Sequence, residues 1–540
     1  MAPLRIATFR RLWLALIVFN LGHLIQVVAS SWLILEMTGS PFWVSLMVGA
    51  PTLPLLVLSL PAGAAADLFD RRAVLIVASS VLAAASITMS VLWAVEELTP
   101  GRLVGLGLAI GVGVAFFNPS WQAIVPSLVP TSLVPGAVSL NSATGGVATA
   151  AGPALGGVLV ATVGPGWSFA AATLGYAWLL TTMATARSME WSQERGSMAV
   201  AIATGLRYLR FSNDYLWLML LGSLFGFTAA ALRAMLPNIT SDVLGGTSSM
   251  YGILLGLFGA GALVGGLTRA RAGRLIGRWM VPSCITMFGL AGIVAGVSRS
   301  VGLTATAVAT AGLLWTWILS TLISTYQMLT PDWVRGRTMG AFVLSVFGFV
   351  PLGSVTAGGL GGLIGADGSL VVFSVGVVAI GALAFRMPLP VLERIEPPVV
   401  PEPVDELPDT DSRQEAVMVV NTWTLDEAQF DDFVEFLAEL RRMRLRTGAY
   451  HWAAYRSATD LRRVSEVFML HSWDQHLQQH RRLDLSDLEL IDRMEVFGHA
   501  KTLVRDHYVA FDVDHPRRRP AWRDFVQEHE LMHRPHLDRD

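Results

Sequence analysis

The chain has 540 residues, 53% of them hydrophobic and 15% charged, with 51 glycines and a single cysteine, Cys284. It is too apolar for an ordinary soluble protein, its formal net charge of −2 gives no basis for nucleic-acid binding, and one cysteine excludes an internal disulfide and a multi-cysteine zinc site. Residues 391–540 hold 30 acidic and 20 basic side chains against 11 and 19 in the first 390, so an oily, cationic front precedes a polar, acidic back.

About twenty apolar residues span a bilayer as a helix. Apolar runs bounded by Arg, Pro, Gly or Asp predict twelve spans at about 12–35, 43–66, 73–95, 103–125, 137–161, 167–186, 215–237, 250–268, 279–298, 301–327, 339–364 and 369–386. Arg5, Arg10 and Arg11 before the first run imitate a signal peptide, but the run is too long and a second follows closely, so it reads as a retained helix. Alternate loops carry the arginines: Arg71 and Arg72, then Arg187, Arg195, Arg207 and Arg210, then Arg269, Arg271, Arg274 and Arg278, then Arg335 and Arg337. The opposite loops offer Arg102 and Arg299, and the positive-inside rule puts both termini in the cytoplasm.

Residues 122–126 read Q-A-I-V-P and 327–331 read Q-M-L-T-P, while 151–157 read A-G-P-A-L-G-G and 356–362 read T-A-G-G-L-G-G. Both pairs share one offset. This points to duplicated six-span halves, the alternative being coincidence between glycine-rich helices.

After the second span comes Gly63-Ala64-Ala65-Ala66-Asp67-Leu68-Phe69-Asp70-Arg71-Arg72. It resembles motif A of the major facilitator superfamily, G-x-x-x-D-R-x-G-R-R, with Gly63, Asp67, Arg71 and Arg72 in place, Leu68 replacing a base and Asp70 a glycine. A carboxylate here can latch one conformation by facing the N-terminus of span 11, near Gly340, through the helix dipole. The segments Trp32–Ser40, Phe117-Asn118-Pro119 to Pro126, and Pro331–Arg337 are similar to the enterobactin-exporter and macrolide-efflux branch, also called transmembrane secretion effectors. The resemblance covers most of residues 9–386. It implies a major facilitator fold, an all-α polytopic membrane protein, exporting a small molecule in exchange for protons. Gly152-Pro153-Ala154-Leu155-Gly156-Gly157 is similar to the tail of the antiporter motif of helix 5, with Ala148 where a glycine is usual. Its other reading is plain helix packing.

Ionisable groups inside spans are costly and suggest function. His23 shares a helical stripe with Gln26 and Asn20, and Glu36 closes the first span. His23 is either a proton carrier or a buried, hydrogen-bonded histidine. Arg233 in the seventh span either binds an anionic or phenolate substrate or snorkels to the surface. Together with Asn118 these line a candidate cavity. The glycine series at 105–113 and 256–265 do not lie in a strand-to-helix turn, so they read as helix packing rather than phosphate loops.

Residues 388–414 are rich in Pro, Asp and Glu, an extended linker. Strands at 417–424, 450–456, 464–471 and 501–511 and helices at 427–446 and 474–497 give a β-α-β-β-α-β order that fits a small ferredoxin-like α+β domain. It resembles the dimeric α/β-barrel domains related to antibiotic-biosynthesis monooxygenases, which implies a cytoplasmic homodimer. Asn421, Trp423 and Trp452 line a pocket or, as favoured, pack the core. Ten of the eleven histidines lie between His451 and His536, with His476 and His480 one helical turn apart. His529-Glu530-Leu531-Met532-His533 matches H-E-x-x-H, but without a protease domain around it a zinc site is rejected.

The domains expected are residues 1–187, a six-helix half; 188–213, a central cytoplasmic loop; 214–386, the second half; 387–414, the linker; and 415–540, the C-terminal domain with its His/Arg-rich tail. The leading reading is a multi-pass exporter of the cytoplasmic membrane, without cofactor or metal, whose partners are the bilayer, a small hydrophobic or siderophore-like molecule and protons. A membrane-tethered monooxygenase-like enzyme and a lipid flippase are the alternatives.

Overall fold

The computed structural model describes residues 2–185, 213–330, 332–387, 416–480, 483, 485–497 and 503–510. The chain divides into two compact units: Met1–Met198 with Trp217–Thr330 and Met339–Val391, and Ala199–Leu216 with Pro331–Thr338 and Leu392–Asp540. The expected central loop, linker and tail, with His529, Glu530 and His533, lie outside the described residues.

The first unit is helical, and the helices in chain order are α1 (Ala7–Thr38), α2 (Pro41–Gly49), α3 (Leu53–Leu68), α4 (Arg71–Ala94), α5 (Pro100–Ile124), α6 (Val134–Val163), α7 (Pro165–Thr185), α8 (Asn213–Asn238), α9 (Ser248–Ile276), α10 (Met280–Val297), α11 (Val301–Leu329), α12 (Asp332–Phe347) and α13 (Phe349–Arg386), the first residues of α8 and of α12 being grouped with the second unit. Nine helical segments among the described residues are long and apolar enough to cross a membrane. Two of them, Ser248–Val297 and Thr338–Arg386, are 50 and 49 residues long. The first turns at Gly277 and the second kinks at Gly365, whose φ of 84° favours a residue without Cβ. Helix boundaries follow local chemistry. Gly39, at φ 58°, caps α1 in the left-handed conformation and returns its N–H to Leu35 O at 2.7 Å, while prolines start α2, α5 and α7, where no N–H is needed. The expected second span is broken between Gly49 and Leu53 because Pro51 and Pro54 remove ladder donors. The eleventh begins at Asp332 and is interrupted at Gly348, so its N-terminus lies two turns before Gly340.

The repeated glycine segments occupy equivalent places in the two halves. On α6, a Cβ at Gly152 would meet Leu24 at 2.8 Å, one at Gly156 would meet Ile25 Cα at 2.9 Å, and one at Gly157 would meet Ser248 O at 2.5 Å. Thus α6 sits between α1 of its own half and α9 of the other. On α13, a Cβ at Gly353 would run into the backbone of Phe227 on α8, one at Gly361 would meet Met235 Sδ at 3.2 Å, and one at Gly358 would meet Ser45 Cβ of α2 at 2.5 Å, the same arrangement with the halves exchanged. The halves meet at the rim formed by the turns after α1, α6 and α8, where Trp32 also stacks on Tyr251, ring centroids 6.1 Å apart.

The second unit contains β1 (Val417–Thr424), α14 (Phe430–Thr447), β2 (His451–Arg456), β3 (Arg463–Leu470), α15 (Trp473–His480), α16 (Leu485–Phe497) and β4 (Val504–Val509). The sheet order is β2-β3-β1-β4, with every neighbouring pair antiparallel. One face of β1 and β3 is buried in strict alternation, Val417, Val419, Asn421 and Trp423 beside Val464, Glu466, Phe468 and Leu470. Phe433, Phe436, Leu437, Leu440 and Met443 of α14 cover part of it. The expected single helix over 474–497 is two helices.

Candidate functional site

The polar residues of α1 are brought together by a residue from a distant helix. Tyr176 of α7 is fully buried; its hydroxyl donates to Gln26 Oε1 at 2.9 Å and lies 3.1 Å from His23 Nδ1. A phenol has one proton. With that proton given to Gln26, His23 must donate from Nδ1, which leaves its Nε2 as the free acceptor. Gln26, 2% exposed, uses its amide on Met89 Sδ of α4 at 3.2 Å, so the network ties α1, α4 and α7 together. Phe19, one turn from His23, stacks on Phe117 at 4.3 Å and meets Tyr176 edge-on at 5.2 Å. Phe117 in turn stacks on Trp121 at 5.8 Å.

The remaining sequence candidates are placed separately. Glu36 is exposed and accepts from Trp32 Nε1 at 2.6 Å. Thirteen residues along α1 put it about 20 Å from His23, so the structure does not join the two. Asn118 is exposed on α5 beside the Phe117 stack. Arg233 is an exposed residue of α8 within electrostatic reach of the Tyr251 phenol, which hydrogen-bonds Ser31 of α1. Tyr176, Tyr251 and Met89 were not singled out from sequence. The available signal was a tyrosine within an apolar run, in a chain with only 8 tyrosines.

In the motif after the second span, Asp70 caps α4 by accepting from the Arg72 amide at 2.9 Å. Arg71 donates to Ala123 O at 3.0 Å, and Arg72 donates to Met183 O at 2.9 Å and Ala184 O at 2.7 Å. The basic pair therefore sits on the carbonyl ends of α5 and α7, where the helix dipole favours cations. Asp67 lies in the last turn of α3; its side chain, like those of 331–337, is outside those described. A Cβ at Gly63 would meet nothing within 4 Å.

In the second unit, Asn421 and Trp423 are wholly buried core residues. Glu466, also wholly buried, accepts from Trp452 Nε1 at 2.8 Å, Asn421 Nδ2 at 2.7 Å and Arg444 Nε at 3.4 Å. An apolar groove of about 580 Å³ runs between α14 and β2, lined by Phe430, Phe433, Leu437, Trp452 and Arg456 among others. It carries cationic rims, with Arg456 over Phe430 at 4.4 Å, and among the described residues no carboxylate or imidazole lines it. Burial, then the neighbouring His480, His507 and Arg444, push the His476 imidazole down to about 2, so it is neutral.

A bundle of apolar helices in two equivalent halves, packed through glycines and enclosing a polar network, is the architecture of a multi-pass membrane transporter. The chain matches the model of the transmembrane secretion effector family over residues 1–513, and it belongs to that family of major facilitator transporters. It is 25% identical over 383 residues to the multidrug efflux pump Tap of Mycolicibacterium fortuitum, covering 68% of this chain and 92% of that one. It is 23% identical to the staphyloferrin A transporter of Staphylococcus aureus (62% and 85%) and 25% identical to macrolide efflux protein A of Streptococcus pyogenes (54% and 73%). The fold resembles a solved bacterial homolog of the human lysosomal transporter Spinster, inward-facing and unoccupied, with TM-score 0.59 at 16% identity over 72% of this chain and 97% of that one.

Removing the Tyr176 hydroxyl in Tyr176→Phe strands the buried Gln26 carbonyl and frees His23. An unsatisfied buried polar group costs about 1–3 kcal/mol. Thermal melting of detergent-purified protein is expected to fall by that equivalent, and unchanged melting would mean that the network does not hold α1, α4 and α7 together.

Proposed function

We propose that the protein is a secondary active exporter that moves a small hydrophobic or siderophore-like molecule outward by alternating access, in exchange for protons. The observation that carries this reading is the pair of equivalent helical halves closed at one rim through glycine contacts, with the His23–Tyr176–Gln26 network buried between helices of the first half. The efflux and siderophore-transport names of the relatives support the direction and the substrate class.

Twelve spans result when the two double-length segments each count twice and α7 is added. With the arginine bias of the loops, both termini lie in the cytoplasm of a cytoplasmic-membrane protein, and the closed rim is the outer one. The halves are residues 1–187 and 214–386, joined by 188–213. Residues 387–414 link them to a ferredoxin-like domain at 415–540, a reading supported by the β2-β3-β1-β4 antiparallel order, and a homodimer would form through this domain. His23 is the group in the network able to take up a proton, while Gln26, Asn118 and Arg233 line the substrate path. Glu36 belongs to its outer end. Gly63, Asp67, Arg71 and Arg72 form the conformational switch, with Arg71 and Arg72 gripping the ends of α5 and α7.

The test is accumulation of a dye, macrolide and siderophore panel in efflux-deficient cells expressing the full chain, with and without an uncoupler. Uncoupler-sensitive loss of at least one compound is expected, and loss insensitive to uncoupler would remove the proton from the mechanism. In the same cells Asp67→Asn is expected to slow export about tenfold, since the switch read from the sequence sets this carboxylate against a helix N-terminus, a charge interaction of about 0.3–2 kcal/mol, and 1.4 kcal/mol is tenfold. An unchanged rate and conformational equilibrium would take Asp67 out of the switch.

A further inference from the structure

The C-terminal unit carries a cluster for which export has no use. His476 and His480 stand one turn apart on α15, and His507 reaches them from β4. His476 Nε2 lies 3.1 Å from His507 Nε2 and 3.4 Å from His480 Nε2. A neutral imidazole nitrogen offers either one N–H or one lone pair. His476 Nε2 can therefore pair fully with one neighbour, and the second close contact is left poorly satisfied. Two nitrogens on a tetrahedral zinc ion, each bound at about 2.0–2.1 Å, lie about 3.3 Å apart, a separation that the two observed spacings bracket.

An independent observation points the same way. His476 Nδ1 and Gln479 Oε1 are both buried without a well-formed hydrogen bond, although the two side chains interact. An Nδ1–H tautomer would donate to that carbonyl, and the same tautomer presents Nε2 as a lone pair. Metal-bound histidines characteristically donate their other N–H to such an oxygen. Trp473 walls the site, its ring 5.3 Å from that of His476 and 5.5 Å from that of His507. His480 and His507 are partly exposed. Arg444, the cation that bears on His476, is paired with Glu466. As the side chains stand, no group of three or more His, Cys, Asp or Glu among the described residues is placed to hold a metal ion, so binding requires these imidazoles to turn about their side-chain bonds.

We propose that His476, His480 and His507 bind one divalent transition-metal ion of the zinc class through their Nε2 atoms, tying α15 to β4. The test uses the full chain in detergent, free of any polyhistidine tag, with Zn²⁺ binding followed by calorimetry and Co²⁺ by its visible absorption bands. One equivalent with tetrahedral cobalt bands is expected. It should persist in a variant whose tail imidazoles His529, His533 and His536 are replaced by alanine. It should weaken at least about a hundredfold in His476→Asn and in His507→Gln, since even losing an outer-shell partner costs up to that factor. His480→Gln, at a partly exposed position, is expected to weaken binding with an unchanged circular dichroism spectrum, which separates ligation from folding. No uptake by the unaltered chain, uptake lost with the tail, or full-strength binding without any one of the three imidazoles would overturn the site.

Discussion

A chain carrying valine at position 157 is expected to leave the conformation described here and to lose most of its transport. Gly157 lets α6 meet α9 backbone to backbone: a Cβ there would stand 2.5 Å from Ser248 O and 2.9 Å from Gly252 Cα, and the reciprocal Cβ at Gly252 would stand 2.5 Å from Pro153 O. Neither partner is the tip of a flexible side chain, so relief requires the halves to separate at this rim. Overpacking costs about 1–3 kcal/mol in general, and 1.4 kcal/mol is tenfold in an equilibrium. The population closed at this rim should fall about tenfold or more. Spin labels on cysteines introduced at the exposed positions Thr162 and Asp242, one in each half, would read the distance across the rim, Cys284 being buried. The control is Gly266→Ala on α9, where a Cβ meets nothing within 4 Å. A Gly157→Val distribution that matches the unaltered protein would show that this contact does not set the closed state.

The two glycine segments found by their common offset are those whose backbones carry these contacts, and the reason is local: close approach demands small residues at fixed helical positions, and such a requirement is written in consecutive sequence. The helix breaks were less legible. Apolar content marks a span but not its interruption, and Pro51, Pro54 and Gly348 sit inside runs that hydropathy reads as continuous. Tyr176 stands 153 residues from His23, and nothing in either local pattern announces their contact, although both belong to segments correctly read as apolar helices. The same limit governs the second unit. The His476–His480 pair is visible as one turn of helix, whereas His507 joins it only because β4 pairs with β1. Glu466 carries no local signal that marks it as buried, and only the alternation of β3 turns it inward.

That inward carboxylate leads to the second large expected effect. Glu466→Ala removes an acceptor shared by Trp452, Asn421 and Arg444, and leaves the Arg444 guanidinium, whose side chain is 5% exposed, beside an apolar methyl. Breaking a buried ion pair from one side typically costs about 3–5 kcal/mol, a large share of the roughly 5–15 kcal/mol that holds a domain together. Amides of β1 and β3 in the full chain should therefore exchange with solvent about a hundredfold to a few thousandfold faster. Replacing both partners, Glu466→Leu with Arg444→Met, is expected to recover most of the protection, because a buried pair exchanged for apolar groups of similar volume is often neutral. Equal loss in the single and double variants would mean that the carboxylate acts by bonding Asn421 and Trp452 rather than by balancing charge. The single variant also gives the domain a functional readout in the same cells. If export continues at full rate while these strands exchange freely, the transport cycle runs without a folded C-terminal unit; if export falls with protection and returns with the double variant, the unit is coupled to the cycle through its fold.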